Sequence, residues 1–262
     1  MNKAVELKRR MGEGHCQVVG GHVFLNDPAI SNAMASFGYD FLWVDAEHGP
    51  FDKQNLLLHA IAANEGGSAV FVRVASSEAS VIKPVLEMGI DGIIIPMVLS
   101  GQQAKDAIEA CLYPPAGIRG YGPRRANQYG MIADSAYLPQ SRDSFLRILQ
   151  IEHVKAVDTI DEILAVDGLD AIIIGPNDLS GSIGLLGKPC DEAVLTLARV
   201  VIAHAKKAGV PVGVSIGPDE KVMRIWMECG VDFISVGDDI SFLRQGALNC
   251  LATVSKLRYG CK

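Results

Sequence analysis

Four apolar runs of this sequence end in residues that can do chemistry. FLWVDAEH carries Asp45, Glu47 and His48, FVRV carries Arg73, QIE carries Gln150 and Glu152, and GPNDLS carries Asn177 and Asp178. Charged groups closing apolar runs are costly unless they are paired or ligate something. Glu152 and Asp178 together suit a hard divalent cation such as Mg2+, Mn2+ or Co2+, which takes only one or two protein carboxylates and leaves other positions to water and substrate. A 2-keto acid would chelate such an ion through its carboxylate and keto oxygens, and the ion would draw electrons toward the keto oxygen as an enolate forms. Arg73 would stabilise the developing oxyanion. His48, oriented by Asp45, would move the proton of a 4-hydroxyl. The chemistry implied is cleavage of a 4-hydroxy-2-keto acid into pyruvate and an aldehyde.

Taken singly, each residue has a structural alternative. His48 can be a satisfied structural histidine, Arg73 a partner for Asp45 or Glu152, Glu152 a helix cap and Asp178 the support of a turn after Pro176. Their placement at strand ends is what favours chemistry. Lysine supplies a contrast, because an aldolase that works through a Schiff base needs one near the carbonyl. None of the twelve lysines falls inside an expected strand; Lys155, just past the fifth, reads as the start of a helix.

The elements that must position these groups recur along the chain. Strands are expected at 17–25, 41–45, 69–74, 92–97, 146–152, 171–175, 211–216 and 233–236. Stretches such as DGIIIPMV and DAIIIG are almost continuously apolar, as parallel strands buried on both faces are. Helices are expected between them, at 52–64 with Asp52 as N-cap, at 77–88 before Gly89, and at 193–208 before Gly209. The phrases LEMGIDG, AVDGLDA and MECGVDF form a weak repeat in which Gly stops a helix and Asp precedes a strand. Eight alternations predict one α/β domain over residues 1–262, a TIM-type (β/α)8 barrel whose chemical groups share the rim at the strand C-termini. The runner-up, a doubly wound sheet, usually advertises a glycine-rich phosphate loop, and neither G-x-G-x-x-G nor a P-loop is present, so no nucleotide cofactor is expected. A segment at about 112–145, including YPPAGIRGYGPRRANQYG, interrupts the rhythm. It joins a helix to a strand, which places it on the barrel's bottom face and marks it as an interface element.

Composition excludes several classes. With 24 Lys+Arg against 30 Asp+Glu and no basic stripe, nucleic-acid binding is disfavoured. The N-terminus has no apolar signal-like core, and the most apolar short stretch, 93–99, is far below membrane-spanning length. The six cysteines (Cys16, Cys111, Cys190, Cys229, Cys250 and Cys261) form no C-x-x-C pair and read as free thiols in a reducing cytosol. A cytoplasmic protein with no membrane partner is expected.

With YDFLWVDAEHGPFD, FVRV, IIIPMV, YPPAGIRGYGPRRANQYG, QIE and GPNDLSGSIGLLGKP in that order, the chain from about Gly20 to Gly237 resembles the HpcH/HpaI aldolase family. The resemblance implies a metal-dependent pyruvate aldolase of the 4-hydroxy-2-oxoheptanedioate or 2-keto-3-deoxy sugar acid type. It implies His48 as acid/base residue, Arg73 as transition-state stabiliser, and Glu152 and Asp178 as metal ligands. Gln150 and Asn177, the latter through its backbone, would contact the pyruvate moiety. It also implies a hexamer whose sites borrow residues from a neighbour, with Tyr121, Arg124 or Arg125 as candidates; Ser215 is a further candidate contact within the chain. One departure stands out. Where the family often has an aspartate that raises the basicity of the histidine, this chain has Glu87, which the expected topology puts toward the bottom of its own barrel. Other readings share parts of this chemistry: an oxaloacetate decarboxylase or a lyase acting on CoA thioesters would use the same enolate, and a non-catalytic barrel would bind a keto acid without turnover.

Overall fold

The computed structural model describes residues 3–259. Its eight strands are β1 (Val18–Val23), β2 (Phe41–Asp45), β3 (Ala69–Arg73), β4 (Gly92–Ile95), β5 (Leu146–Ile151), β6 (Ala171–Ile174), β7 (Val212–Ile216) and β8 (Phe233–Asp238). All pair in parallel and in chain order, and β8 closes on β1. This is the expected single-domain (β/α)8 barrel. Expected and observed strand ends differ by one or two residues, several strands stopping short of the expected end and β8 running on to Asp238.

The helices begin and end where local chemistry directs. In α3 (Lys53–Glu65), the N-cap Asp52 accepts a hydrogen bond from Asn55 N at 2.8 Å. α10 (Glu192–Ala208) ends at Gly209, whose φ of 70° lies in the left-handed region that glycine adopts freely. α4 (Ala79–Leu86) is shorter than the expected 77–88: it starts after Glu78, which is extended, and is capped at Glu87. The remaining helices that matter below are α1 (Lys3–Glu13), α5 (Gly101–Cys111), α6 (Asp134–Ser141), α7 (Val154–Asp158), α9 (Pro176–Ser182) and α12 (Asp239–Tyr259).

Successive strand residues face opposite sides of the sheet. The lower inward positions are apolar: Phe41 and Trp43 of β2, Phe71 of β3, Ile94 of β4, Ile148 of β5, Ile173 of β6 and Phe233 of β8 cluster with Ala4, Leu7 and Met11 of α1, which plugs the bottom. Glycines make room for the rings. A Cβ on Gly20 would come within 2.2 Å of Phe41, and one on Gly213 within 2.4 Å of Phe233. The outward strand residues pack against the helices in a second, larger core.

The repeated Gly–x–Asp phrase has a structural cause. Gly89, Gly168 and Gly230 all have positive φ. The aspartate that follows each one grips the preceding strand: Asp91 accepts from Val70 N at 2.9 Å, Asp170 from Arg147 N at 2.9 Å and Asp232 from Val212 N at 3.0 Å. Asp40 does the same to Val19 N at 2.8 Å, a fourth instance within FGYD. Hydrogen bonds to charged acceptors contribute about 1.5–3 kcal/mol each, so these aspartates tie strands into pairs from below.

The segment at 112–145 is not a free arm. It holds a 3-10 turn at Arg125–Gly130 and then α6, and it docks under its own barrel. The Arg125 guanidinium donates to the carbonyls of Met88 (3.0 Å) and Gly89 (2.7 Å) and to Asn64 Oδ1 (2.7 Å). Arg119 pairs with Glu87 at 3.1 Å and lies 4.4 Å from the centroid of the Tyr113 ring. The segment leaves Ile118, Tyr121, Tyr129 and Met131 exposed, and α12 exposes Leu243, Leu251 and Leu257. Among the described residues no helix is long and apolar enough to cross a membrane. Cys16, Cys111, Cys190, Cys229 and Cys250 are free thiols, and Cys261 lies outside the described residues.

Candidate active site

Above the apolar layer, the same inward rows turn polar. Phe41 and Trp43 lead to Asp45, Phe71 to Arg73, and Ile148 to Gln150 and then Glu152 just past the strand. Arg73 is the centre of the resulting network. Its Nε donates to Asp45 Oδ1 at 3.0 Å and its Nη2 to Asp45 Oδ2; Nη1 pairs with Glu47 at 2.9 Å and reaches Gln150 Oε1 at 3.4 Å. The guanidinium sits 5.3 Å from the centroid of the Trp43 ring. Gln150 in turn donates through Nε2 to Glu152 Oε2 at 2.5 Å, and Glu152 Oε1 accepts from Met97 N at 2.7 Å. Met97 holds a φ of 52°, a strained conformation for a non-glycine residue, and its N–H reaches Glu152 from there.

β6 ends at Ile174, Gly175 follows as the cap, and α9 starts with Pro176, Asn177 and Asp178. A Cβ on Gly175 would lie 2.7 Å from both Gln150 Nε2 and Glu152 Oε2, so only glycine lets those side chains lie across the end of β6. Arg73, Gln150, Asn177, Asp178 and His48 all line one cavity of about 450 Å3 at the strand C-termini. None of its lining residues is a lysine. Lys155 is exposed in the first turn of α7, as expected.

Charges here are unevenly balanced. Burial works against the ionised Asp45 carboxylate, but the hydrogen bonds and charge of Arg73 outweigh it and hold Asp45 below the usual carboxylate range. Glu47 is pushed up by burial, only partly offset by Arg73 and His48. Glu152 is pushed up to about 7, first by burial and then by Asp178 and Glu47, against the Met97 N–H and Arg73. A buried carboxylate facing two others is short of positive charge. Among the described residues no three His, Cys, Asp or Glu side chains form a closed cage, but an open site for a Mg2+-type ion needs no more than two protein carboxylates. The donor set at Glu152 and Asp178 fits such an ion.

Two expected contacts differ from the observed geometry. Asp45 was expected to orient His48, and it does so through the backbone, not the ring. Asp45 Oδ1 accepts from Glu47 N at 3.1 Å and His48 N at 3.2 Å, while its remaining capacity is taken by Arg73. The carboxylate nearest the His48 ring is Glu47, 3.9 Å from Nε2, and the ring itself is 64% exposed at the cavity rim. Glu87, at the C-terminal cap of α4, belongs to the bottom face and pairs with Arg119, leaving its Oε2 buried without a partner. Within one chain it does not meet His48. Arg125 is likewise held at the bottom, with Tyr121 and Arg124 exposed on the same segment.

The cavity also contains a residue that the sequence reading passed over. His22 of β1 is buried against Trp43, with ring centroids 4.5 Å apart, and accepts or donates at both nitrogens: Nε2 to Ser215 Oγ and Nδ1 to Ser235 Oγ, each at 3.2 Å. Its signal was its place in the inward row Val18, Gly20, His22, where it stands level with Trp43 of β2. Burial lowers its pKa from 6.5 to about 4, against weaker opposition from Asp45. The folded-state value is depressed, so His22 favours the fold fully above pH 6.5 and loses that contribution as pH falls toward 4, by about 2–3 kcal/mol at pH 4.5. In urea unfolding, His22→Gln is therefore expected to gain about that much relative to wild type between pH 7.5 and 4.5. A difference independent of pH would mean that His22 is not held neutral.

The comparisons with known proteins agree with this architecture. Residues 19–245 match the family model for HpcH/HpaI aldolase/citrate lyase. The chain belongs to this family. Among its HpcH/HpaI relatives, a 4-hydroxy-2-oxovalerate aldolase of Novosphingobium aromaticivorans is 37% identical over 243 residues, covering 92% of this chain and 91% of the relative. A 5-keto-4-deoxy-D-glucarate aldolase of Salmonella arizonae is 35% identical over 233 residues, covering 88% and 90%. The crystal structure of an HpcH/HpaI aldolase/citrate lyase family protein from Burkholderia cenocepacia superposes with a TM-score of 0.90 at 30% identity, covering 97% of this chain and all of that one.

Proposed function

We propose that this HpcH/HpaI family member is a carbon–carbon lyase, a divalent-metal-dependent aldolase that reversibly cleaves a 4-hydroxy-2-keto acid to pyruvate and an aldehyde. The observation that carries the reading is the convergence of Arg73, Gln150, Asp178 and His48 on one cavity, with Glu152 bonded to Gln150 behind its wall. The relatives named as aldolases support the same class.

Glu152 and Asp178 would hold the cation, Mg2+, Mn2+ or Co2+, which when bound supplies Lewis acidity toward the keto acid. The protein's own groups do the rest. His48, at the open rim, takes the proton of the 4-hydroxyl as the C3–C4 bond breaks and C4 becomes the aldehyde carbon. The electron pair of that bond passes to C2–C3, forming the pyruvate enolate, and Arg73 balances the charge that develops on its oxygen. Protonation at C3 completes pyruvate. Gln150 and the backbone at Asn177 position the pyruvate moiety, while Asp45 holds both Arg73 and the turn that carries His48. Glu87 can act on a histidine only from another copy of the chain. A homo-oligomer, hexameric as the family resemblance implies, with the 112–145 segment at its interface would supply that geometry. The exposed Ile118, Tyr121, Tyr129 and Met131 support an interface there. Deleting residues 117–130 and finding the native assembly unchanged by light scattering would remove the segment from that role.

The deciding experiment follows pyruvate release from 4-hydroxy-2-keto acids. EDTA treatment is expected to abolish release, and Mg2+, Mn2+ or Co2+ to restore it. Full activity in metal-free protein would sink the proposal.

A further inference from the structure

His48 sits in an exposed turn, so its placement depends on what grips that turn. Asp45 grips it from inside: its Oδ1 accepts from His48 N at 3.2 Å, and its carbonyl oxygen accepts from Gly49 N at 2.8 Å. Phe51 presses from the other side. A Cβ on Gly49 would come within 2.5 Å of the Phe51 ring and within 2.4 Å of the Asp45 carbonyl oxygen, so the turn is pinched between the two.

Behind Phe51 stands a titratable group that the mechanism above does not use. His59 of α3 meets the Phe51 ring in a T-shaped contact, with centroids 4.9 Å apart and planes at 81°. His59 is fully buried. Its Nδ1 lies 2.7 Å from Oγ of Ser31, itself fully buried on α2 (Pro28–Ser36). Burial pulls the His59 pKa below its ordinary value, against the backbone of Asn26 and the carboxylates of Asp239 and Asp27, so the ring is neutral near pH 7. Its Nε2 is buried with no hydrogen-bond partner among the described residues.

An unpaired polar atom in a core costs stability, and an apolar side chain of similar size would avoid that cost. Packing alone therefore does not account for a histidine at this position. What imidazole adds is a flat ring whose rotation the Ser31 hydroxyl can lock, and the locked ring meets Phe51 in one fixed geometry. Resting on the aldolase reading above, we infer that His59 is a positioning residue: held by Ser31, it braces Phe51 against Gly49 and so fixes the turn that presents His48 to the 4-hydroxyl. Ser31 and His59 are buried within one chain, so the brace stands without a second copy.

Only the step that uses His48 should feel the loss of this brace. Retro-aldol cleavage needs the proton of the 4-hydroxyl removed as C3–C4 breaks. Decarboxylation of oxaloacetate reaches the same pyruvate enolate by losing CO2, and has no such proton to remove. A catalytic group displaced by about 1 Å can lose about 100-fold in rate.

The test measures both reactions on the full chain with Mg2+, in wild type, His59→Leu, Phe51→Leu and the double variant. Each single change is expected to lower kcat for cleavage by about tenfold or more, with KM and oxaloacetate decarboxylation held within about twofold. The double variant should be little slower than the slower single one, since both changes act through one contact. Ser31→Ala should give a smaller loss of the same kind. His59→Asn keeps an amide for Ser31 but no ring for Phe51, and should match His59→Leu should leucine disturb the fold. Unchanged cleavage, equal loss in both reactions, or additive losses in the double variant would each overturn the inference and leave the aldolase reading standing. A wild type that cleaves no 4-hydroxy-2-keto acid removes both.

Discussion

Replacing Arg73 by lysine is expected to lower kcat for pyruvate release by about 10²–10³-fold, the loss typical of removing a preorganised donor to a developing oxyanion. Lysine keeps a charge for Asp45 but cannot hold Asp45 with two nitrogens while a third meets Glu47 and Gln150, as the guanidinium does. Arg73→Ala is the less informative change. Asp45 is fully buried, and stripping its partner leaves an uncompensated charge at a cost of about 3–5 kcal/mol. An alanine variant would thus lose folded protein as well as chemistry. Steady-state kinetics paired with thermal melts distinguish the two effects. Arg73→Lys is expected to keep a melt close to wild type while turnover collapses, and an unaffected rate would remove Arg73 from the mechanism.

The second large effect is expected at Glu152. Its folded-state pKa stands at about 7 against an ordinary 4.5. The value is raised, so the protonated form is favoured by the fold. Stability from this group is complete below pH 4.5 and is lost as pH rises through 7, by about 3 kcal/mol near pH 7.5. This slope opposes that of His22 over nearly the same window, so the wild-type profile alone hides both. A divalent cation relieves the penalty only when Glu152 is ionised. Mg2+ is therefore expected to raise the melting temperature clearly at pH 7.5 and little at pH 5. In Glu152→Gln, which carries no charge at either pH, the Mg2+ effect and aldolase turnover should both fall away. A Mg2+ shift of equal size in the variant would place the ion elsewhere.

Much of this site was legible in the sequence because a barrel strand alternates. Once a strand is recognised by its apolar run, its inward residues are every second one, and the last of them reaches the rim. Asp45, Arg73, Gln150 and Glu152 follow from that count, whereas the glycines that make way for Phe41 and Phe233 were recognised only in the structure. The repeated Gly–x–Asp phrase was likewise visible as a pattern. Its purpose, an aspartate gripping the preceding strand from below, was not, since the partner N–H lies about twenty residues away in sequence.

His22 obeyed the same alternation and was still missed. Its neighbours in β1 are glycines and valines, and nothing local marks it as polar lining. Only barrel closure sets it between Ser215 and Ser235, more than 190 residues distant. The partner of Asp45 is a similar case: an aspartate three residues before a histidine suggests a ring contact, but the turn brings it to backbone N–H groups, and Arg73 of the adjacent strand takes the rest.

The sequence by itself determined the strands, their inward rows and the kinds of groups at the rim, because alternation and apolar runs are local properties of the chain. The tertiary structure decided which of those groups touch and which carboxylates are buried short of positive charge within the chain. Those depend on distances across the barrel and on burial, and neither is encoded within any one segment.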